Sequence, residues 1–187
     1  VRMGGVYTLV GLVDEWLEEK NLEYSERLKE GQVIINNLCA CIRSSFALAF
    51  HYNELTQDSP TAEGLYKNRE QEFYADKAAL ESEANIRLSI IQEIHDRIQS
   101  PDKNTPGTWS DFEYDFSGST FFYPIEFSRV FFNKTADFSG CTYMHEADFS
   151  GTIYRNWADF RGSTYLAYAN FSGSSYHGAA SLNDSVY

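Results

Sequence analysis

Cysteines, prolines, basic residues and long apolar runs are all scarce in this 187-residue chain, and each scarcity excludes something. Cys39, Cys41 and Cys141 are an odd number, and the Cys-x-Cys spacing of the first two is neither a zinc ligand pair nor a redox Cys-x-x-Cys. On a helix Cys39 and Cys41 point about 200° apart, so they cannot share a metal. A disulfide framework is therefore not expected, and a reducing cytoplasm fits best. Only 15 bases stand against 27 acids, a formal net charge of −12, so the chain repels nucleic-acid phosphates and the anionic face of a membrane. Neither half is basic, since residues 101–187 hold ten acids and five bases. Direct nucleic-acid binding is disfavoured. No run of 18 or more apolar residues appears, and no charged-then-apolar leader, so neither a membrane span nor export is expected. The chain begins at Val1, already inside an amphipathic pattern, which leads us to expect an upstream part.

Signatures of catalysis are missing as well. There is no phosphate-binding glycine loop, no Gly-x-Ser-x-Gly elbow and no His-Glu-x-x-His. His51, His95, His145 and His177 fall in unrelated contexts, with His95 expected to be solvated or partly buried. Asp14, Glu15, Glu18 and Glu19 read as a solvated acidic helix end rather than an acid-base pair. No enzyme, cofactor or metal is expected.

Helical periodicity occupies the first hundred residues. Val6, Leu9, Val10, Val13, Trp16 and Leu17 predict a helix over 1–19, although Gly4, Gly5 and Gly11 each weaken it. Leu28, Val33, Ile34, Ile35, Leu38, Cys39 and Ile42 predict the buried face of a second helix over 25–43, opening at Ser25. The stretch 46–68, with Pro60 and Gly64, reads as loop or short irregular helix. Leu80, Ala84, Ile91, Ile94 and Ile98, widened by Ile86 and Ile90, predict a core-facing third helix over 68–99. Val1 to Leu9 can be laid against Ile86 to Ile94, suggesting either a repeated HEAT-like hairpin or two helices that merely share a period. Two prolines and a glycine then break every pattern. The expected division is a helical module over 1–100, a linker over 101–109 and a repeat domain over 110–187.

Aromatics form 16% of the chain and crowd toward its end, where they become periodic. Phe116, Phe127, Phe138, Phe149, Phe160, Phe171 and Leu182 are each eleven apart, and five residues after each stand Phe121, Phe132, Tyr143, Tyr154, Tyr165, Tyr176 and Tyr187. Two residues before the central positions lie small side chains: Ala136, Ala147, Ala158, Ala169 and Ala180 in one series, and Ser119, Val130, Cys141, Thr152, Ser163, Ser174 and Ser185 in the other. Large and small inward residues in alternation can fill a narrow tube without voids. Cys141, in the small series, should be an inert core thiol.

The phrases Ala136-Asp137-Phe138-Ser139-Gly140, Ala147-Asp148-Phe149-Ser150-Gly151 and Ala158-Asp159-Phe160-Arg161-Gly162 resemble the pentapeptide repeat family, over about residues 114–187. Tyr114 and Ile125 depart from its small position, and every second unit carries an extra residue. The resemblance implies an α plus β-solenoid chain, in which a helical module precedes a right-handed quadrilateral β-helix of 22 residues per coil. Side chains 22 apart then stack in four columns: Phe116/Phe138/Phe160/Leu182, Phe127/Phe149/Phe171, Phe121/Tyr143/Tyr165/Tyr187 and Phe132/Tyr154/Tyr176. At about 4.8 Å per layer, just over three coils give a rod only about 15 Å tall. The helices bear a looser likeness to the segment before the repeats in some actinobacterial pentapeptide proteins, through Val1-Arg2-Met3-Gly4-Gly5-Val6-Tyr7 and Asn37-Leu38-Cys39-Ala40-Cys41-Ile42-Arg43. Membrane helices precede that segment in some such relatives, so an upstream anchor with this chain as its cytoplasmic portion is one expectation.

Asp115, Glu126, Asp137, Asp148, Asp159 and Asn170, one before each central aromatic, form an acidic ladder. In resistance-type members of that family, acidic rods are held to imitate duplex DNA and occupy gyrase. The local reading carries more weight here: Asp and Asn beside a turn accept from backbone amides, and about 15 Å spans fewer than five base pairs. The sequence thus points to a non-enzymatic scaffold or protein-interaction module whose partner it does not name, with acidic mimicry as the alternative. Tyr165, Leu182 and Tyr187 beside free strand edges also predict weak homodimerisation through the far end of the solenoid.

Overall fold

Apolar residues at intervals of three and four wind the first half of the chain into helices. In a computed structural model that describes residues 3–99, 102 and 104–187, α1 (Met3–Glu18) buries Val6, Val10 and Val13. After a five-residue turn, α2 (Tyr24–Arg43) buries Ile35, Leu38, Cys39 and Ile42. Its start is a capping box between Glu23 and Glu26 rather than Ser25. Val33, expected inside, is exposed, because two residues from Ile35 is about 200° around the helix. A 3₁₀ turn (Ala47–His51) and α3 (Tyr52–Leu55) occupy the irregular stretch, and α4 (Glu70–Ile98) follows. Phe73, Leu80, Ile90, Ile91, Ile94 and Ile98 form its buried face. The alignment of 1–9 with 86–94 falls on the first turns of α1 and the last of α4, with Val1 and Arg2 outside the described residues.

Residues Tyr24–Leu55 contain an 18-residue window long and apolar enough, by length and composition, to cross a membrane. A count of uninterrupted apolar residues misses it, because isolated polar residues are diluted in the window average. In this fold the helix stops at Arg43 and its apolar stripe packs on α1 and the solenoid.

Two arginines join the helices. Arg87, almost wholly buried on α4, donates to the carbonyls of Ile42 and Ser44 at 2.9 Å each, pairs with Glu83 at 2.7 Å and lies 5.5 Å from the Phe122 ring. It satisfies carbonyls at the end of α2 that have no helical partner and ties them to the solenoid. Arg97 holds Asp14 of α1 at 2.8 Å and Glu93 at 2.5 Å, and its guanidinium lies 5.0 Å from the Trp109 ring.

The break after α4 folds back on the helix it leaves. Gly107 N–H donates to Ile98 O, Trp109 N–H to Arg97 O at 3.0 Å, and Ser110 Oγ to Ile98 O at 3.1 Å. Ser100, Pro101 and Lys103, part of the expected boundary, lie outside the described residues. Trp109, Phe112 and Tyr114 are buried, so the helices cover the first coil. Gly31 of α2 admits this contact: a Cβ there would come within 2.6 Å of the Phe112 ring.

The rest is a parallel β-solenoid of four faces. The first face is β1 (Tyr114–Asp115), β5 (Ala136–Asp137), β9 (Ala158–Asp159) and β13 (Ala180–Ser181). The second is β2 (Thr120–Phe121), β6 (Thr142–Tyr143) and β10 (Thr164–Tyr165); the third is β3 (Ile125–Glu126), β7 (Ala147–Asp148) and β11 (Ala169–Asn170); the fourth is β4 (Phe131–Phe132), β8 (Ile153–Tyr154) and β12 (Ser175–Tyr176). Tyr114 faces Ala136, which faces Ala158, and the same 22-residue step holds on every face.

At the corners the backbone turns through the left-handed region. Gly118, Gly140, Gly151, Gly162 and Gly173 have φ of 63–70°, and Arg129 and Asp184 occupy the same register at φ 56° and 60°. Glycine fits that conformation without strain; Arg129 does not.

Candidate functional site

Inside the solenoid the aromatic columns form four stacks. Phe116, Phe138 and Phe160 succeed one another at 5.1 Å between ring centroids, and Phe127, Phe149 and Phe171 at 6.1 and 5.1 Å. Phe121, Tyr143, Tyr165 and Tyr187 stack at 5.0, 4.7 and 5.0 Å, and Phe132, Tyr154 and Tyr176 at 5.4 and 5.0 Å. The small series closes the gaps between layers with hydrogen bonds. Cys141 Sγ donates to Phe116 O at 3.1 Å, Ser163 to Phe138 O at 2.8 Å, Ser174 to Phe149 O at 2.7 Å and Ser185 to Phe160 O at 2.9 Å, with Thr152 to Phe127 O in the same register. Each step spans 25 residues, one coil plus three, so hydroxyls or a thiol at these positions bond where alanine would not. Burial pushes the Cys141 thiol up to about 12, and that of Cys39 likewise, so both are protonated and unreactive.

The acidic ladder is brought together only in part. A 22-residue coil sends alternate members to opposite faces: Asp115, Asp137 and Asp159 lie on the first, and Glu126, Asp148 and Asn170 on the third. Most of these side chains serve their own turns. Oδ1 of Asp115, Asp137, Asp148, Asp159 and Asn170 each accepts from the N–H two residues on, at 2.7–3.0 Å. Glu126 accepts from the Ser128 hydroxyl. Arg43 pairs with Asp115, and Arg161 grips Asp159, which is buried. The Arg161 hydrogen bonds hold the Asp159 carboxyl below the usual carboxylate range.

The dispersed titratable groups stay dispersed. His95 is buried at the module junction, between Asp96 Oδ1 at 3.1 Å and Ser128 O at 3.3 Å, while the Nδ1 of His145 accepts from Glu146 N–H. Among the described residues no group of three His, Cys, Asp or Glu could hold a metal ion. Asp14 accepts the Trp109 indole N–H at 2.8 Å as well as Arg97. Periodicity marked it as part of a solvated acidic run; the downstream tryptophan was the only signal of a junction.

Three of the open surfaces among the described residues expose apolar side chains. A groove of about 500 Å³ between α1, α2 and α4 has Leu9, Ala40, Cys41, Ile86 and Ile90 on its walls. A smaller hollow of about 210 Å³ sits where the 3₁₀ turn meets the second solenoid face, beside Phe46, Thr120 and Phe122, with Phe50 at its lip 82% exposed. The last coil is the third: Phe171 is half-buried, Leu182 is 39% exposed and Tyr187 is 75% exposed, with Leu166 and Tyr168 bare on the adjoining side. Phe50 lies in the stretch 46–68, which the sequence reads only as loop or short irregular helix.

No family model matches the chain, no curated protein matches it, and no solved structure matches it.

Proposed function

We propose that the chain is a non-enzymatic scaffold, in which a helical module fused to a short pentapeptide-repeat solenoid presents one composite surface to protein partners. The observation that carries this reading is the joint itself. Trp109, Phe112, Tyr114 and Phe122 are buried between the two parts, and Arg87, Arg97 and Arg43 bridge them, so surfaces on the helices and on the solenoid hold a fixed relation. A rigid scaffold that positions bare aromatic and aliphatic side chains such as Phe50, Leu166 and Tyr168 suits recognition more than chemistry. Free, buried thiols fit a cytoplasmic setting, and an upstream membrane anchor is compatible with it. A second copy meeting the open last coil would cover Leu182 and Tyr187.

The test is proximity labelling in the source cell with the parent and with Phe50→Asp and Leu166→Asp/Tyr168→Asp variants of unchanged melting temperature. Loss of the same specific protein neighbours from one or both variants supports the scaffold. Neighbours unaffected by either refute it. The acidic-mimic alternative is addressed by a supercoiling assay with purified gyrase: dose-dependent inhibition or drug protection that disappears when Asp137, Asp148 and Asp159 become Asn would favour mimicry. The split of the acids over two faces supports the opposite result.

A further inference from the structure

Charge is sorted among the four walls of the solenoid. Carboxylates stand on the first face as Asp115, Asp137 and Asp159, on the third as Glu126 and Asp148, and just before β7 as Glu146. The fourth face, residues 130–135, 152–157 and 174–179, holds no Asp or Glu in any coil. Its bases are Lys134 and Arg155, both exposed, and the exposed Arg129 stands at the corner that leads into it. Arg161, the other base of the solenoid, belongs to the first face and is engaged by Asp159. Among the described residues Arg129, Lys134 and Arg155 form no ion pair.

Arg129 is strained where it stands. Five other corners in its register are glycine, and a side chain at φ 56° is a conformation that folded chains retain chiefly where it serves a function. Its Cγ lies 3.2 Å from where a Cβ on Gly151 would be, so the side chain descends along the corner toward the coil that carries Arg155. Arg155 lies over the Phe131 ring at 5.7 Å. On the same wall Ile153 is half-buried, and Trp157 at its far corner is 36% exposed. Arginine and tryptophan are over-represented among the side chains that dominate binding energy at protein interfaces. One acid borders the wall, Asp111, and its carboxylate is taken up by the Tyr24 hydroxyl at 2.6 Å and Asn133 Nδ2 at 2.8 Å. The helices pack on β1 and β3, and Arg155, Trp157, Ser175 and His177 remain exposed.

We propose that the outer side of the fourth face is a docking surface for an acidic, extended segment of a partner protein, its carboxylates meeting Arg129, Lys134 and Arg155 and an apolar residue resting on Ile153 and Trp157. The proposal rests on the scaffold reading and gives the chemistry of one partner. Charge complementarity selects an acidic occupant: on a chain of net charge −12, three bases without ion pairs stand here against Asp111 alone. Width selects a narrow one. Each coil contributes only a two-residue strand to this wall, and Asp137 and Asp159 flank it on one side and Asp148 on the other. A nucleic-acid duplex or an anionic membrane would overlap those carboxylates and be repelled, whereas a single extended segment fits between them.

The experiment pans a random-peptide display library against the full chain at physiological salt and measures the enriched peptides by fluorescence anisotropy. The expected result is enrichment of peptides rich in Asp and Glu that lose about tenfold or more in affinity for a Lys134→Ala/Arg155→Ala variant. Lys67→Ala, which removes an exposed base of the helical module, should leave that affinity unchanged. Arg129→Gly should weaken binding about threefold while melting no lower than the parent, which separates a lost contact from lost folding. No enrichment, enrichment of peptides without acidic residues, or equal binding to the double variant overturns the proposal. So does tighter binding of polyuridine RNA, a DNA duplex or phosphatidylserine vesicles through the same residues. None of these variants alters Phe50, Leu166 or Tyr168, so failure here leaves the scaffold reading to its own labelling experiment.

Discussion

Replacing Phe149 with alanine is the sharpest probe of the solenoid interior. Its ring is fully buried and lies within 5.1–6.1 Å of Phe127, Phe138, Tyr143, Phe160 and Phe171, so layers above and below both lose contact when it goes. Removing the ring withdraws about 2 kcal/mol of transfer free energy. The hole left is about 100 Å³, which at about 24 cal/mol per Å³ adds about 2.4 kcal/mol if the stacks cannot close around it. They cannot easily do so, since the backbone spacing of the coils is fixed by their ladders. The expected loss is thus about 4–5 kcal/mol, or roughly 8–20 °C in Tm for a chain of this size. Phe171 stands in the same column one coil further on and is only half-buried. Its truncation should cost about half as much or less, by local fraying of the last coil. Urea titrations followed by far-ultraviolet circular dichroism give both values. A Phe149→Ala loss below about 1.5 kcal/mol, or a Phe171→Ala loss equal to it, would refute the account of a core packed from both sides.

Other outcomes follow from single features. Arg129→Gly relieves a left-handed residue in a register otherwise held mostly by glycine, and should raise stability by about 0.5–1 kcal/mol in the same titration. Gly31→Ala, whose Cβ meets the Phe112 ring at 2.6 Å, should lower stability by about 1–3 kcal/mol and loosen the module joint, seen as faster amide exchange around Phe112. Burial raises the hydroxyls of Tyr114, Tyr143 and Tyr154 well above the ordinary tyrosine value. Stability they contribute is complete below about pH 10 and falls as pH rises beyond it, by about 1.4 kcal/mol per unit for each phenol, so alkaline unfolding should be steep and release their absorbance at 295 nm together. Asp159 and Asp111 are shifted the other way, by Arg161 and by the Tyr24 hydroxyl. Their contribution is present above about pH 4 and lost as pH falls through the lower folded values, so Asp159→Asn should blunt acid unfolding.

How much of this could be read beforehand depended on whether a side chain answers to a period. Phe138 and Phe160, 22 apart, had to stack if a coil holds 22 residues, and they lie 5.1 Å apart with planes 4° from parallel. The helices were legible for the same reason, although Val33 shows that an unbroken apolar run hides which side is inward. Contacts that join distant segments obey no period. Nothing near Asp14 announces that its carboxylate will receive a tryptophan 95 residues away, and nothing near Phe50 announces that it will stand in solvent. The hydrogen bonds of Ser163, Ser174 and Ser185 fall between these cases: their inward position was legible, but the 25-residue offset of their acceptors comes from how neighbouring coils sit on one another.

The acidic ladder shows how a correct period can line up side chains that the coil then sets apart. Counted every eleven residues, the acids make one column with a charge on nearly every step. A coil of four faces distributes that column over two opposite walls, so on each wall successive carboxylates are a full layer apart and no wall carries more than three. Duplex DNA carries one charge per about 1.7 Å of axis, whereas one wall here carries one per about 4.8 Å before Arg43 and Arg161 are subtracted. The carboxylates that remain accept from their own turns, which fixes each side chain against the rod rather than projecting it toward a partner. The acids of this solenoid accept hydrogen bonds at its corners, and its large exposed apolar side chains lie elsewhere, around Phe50, Leu166 and the last coil.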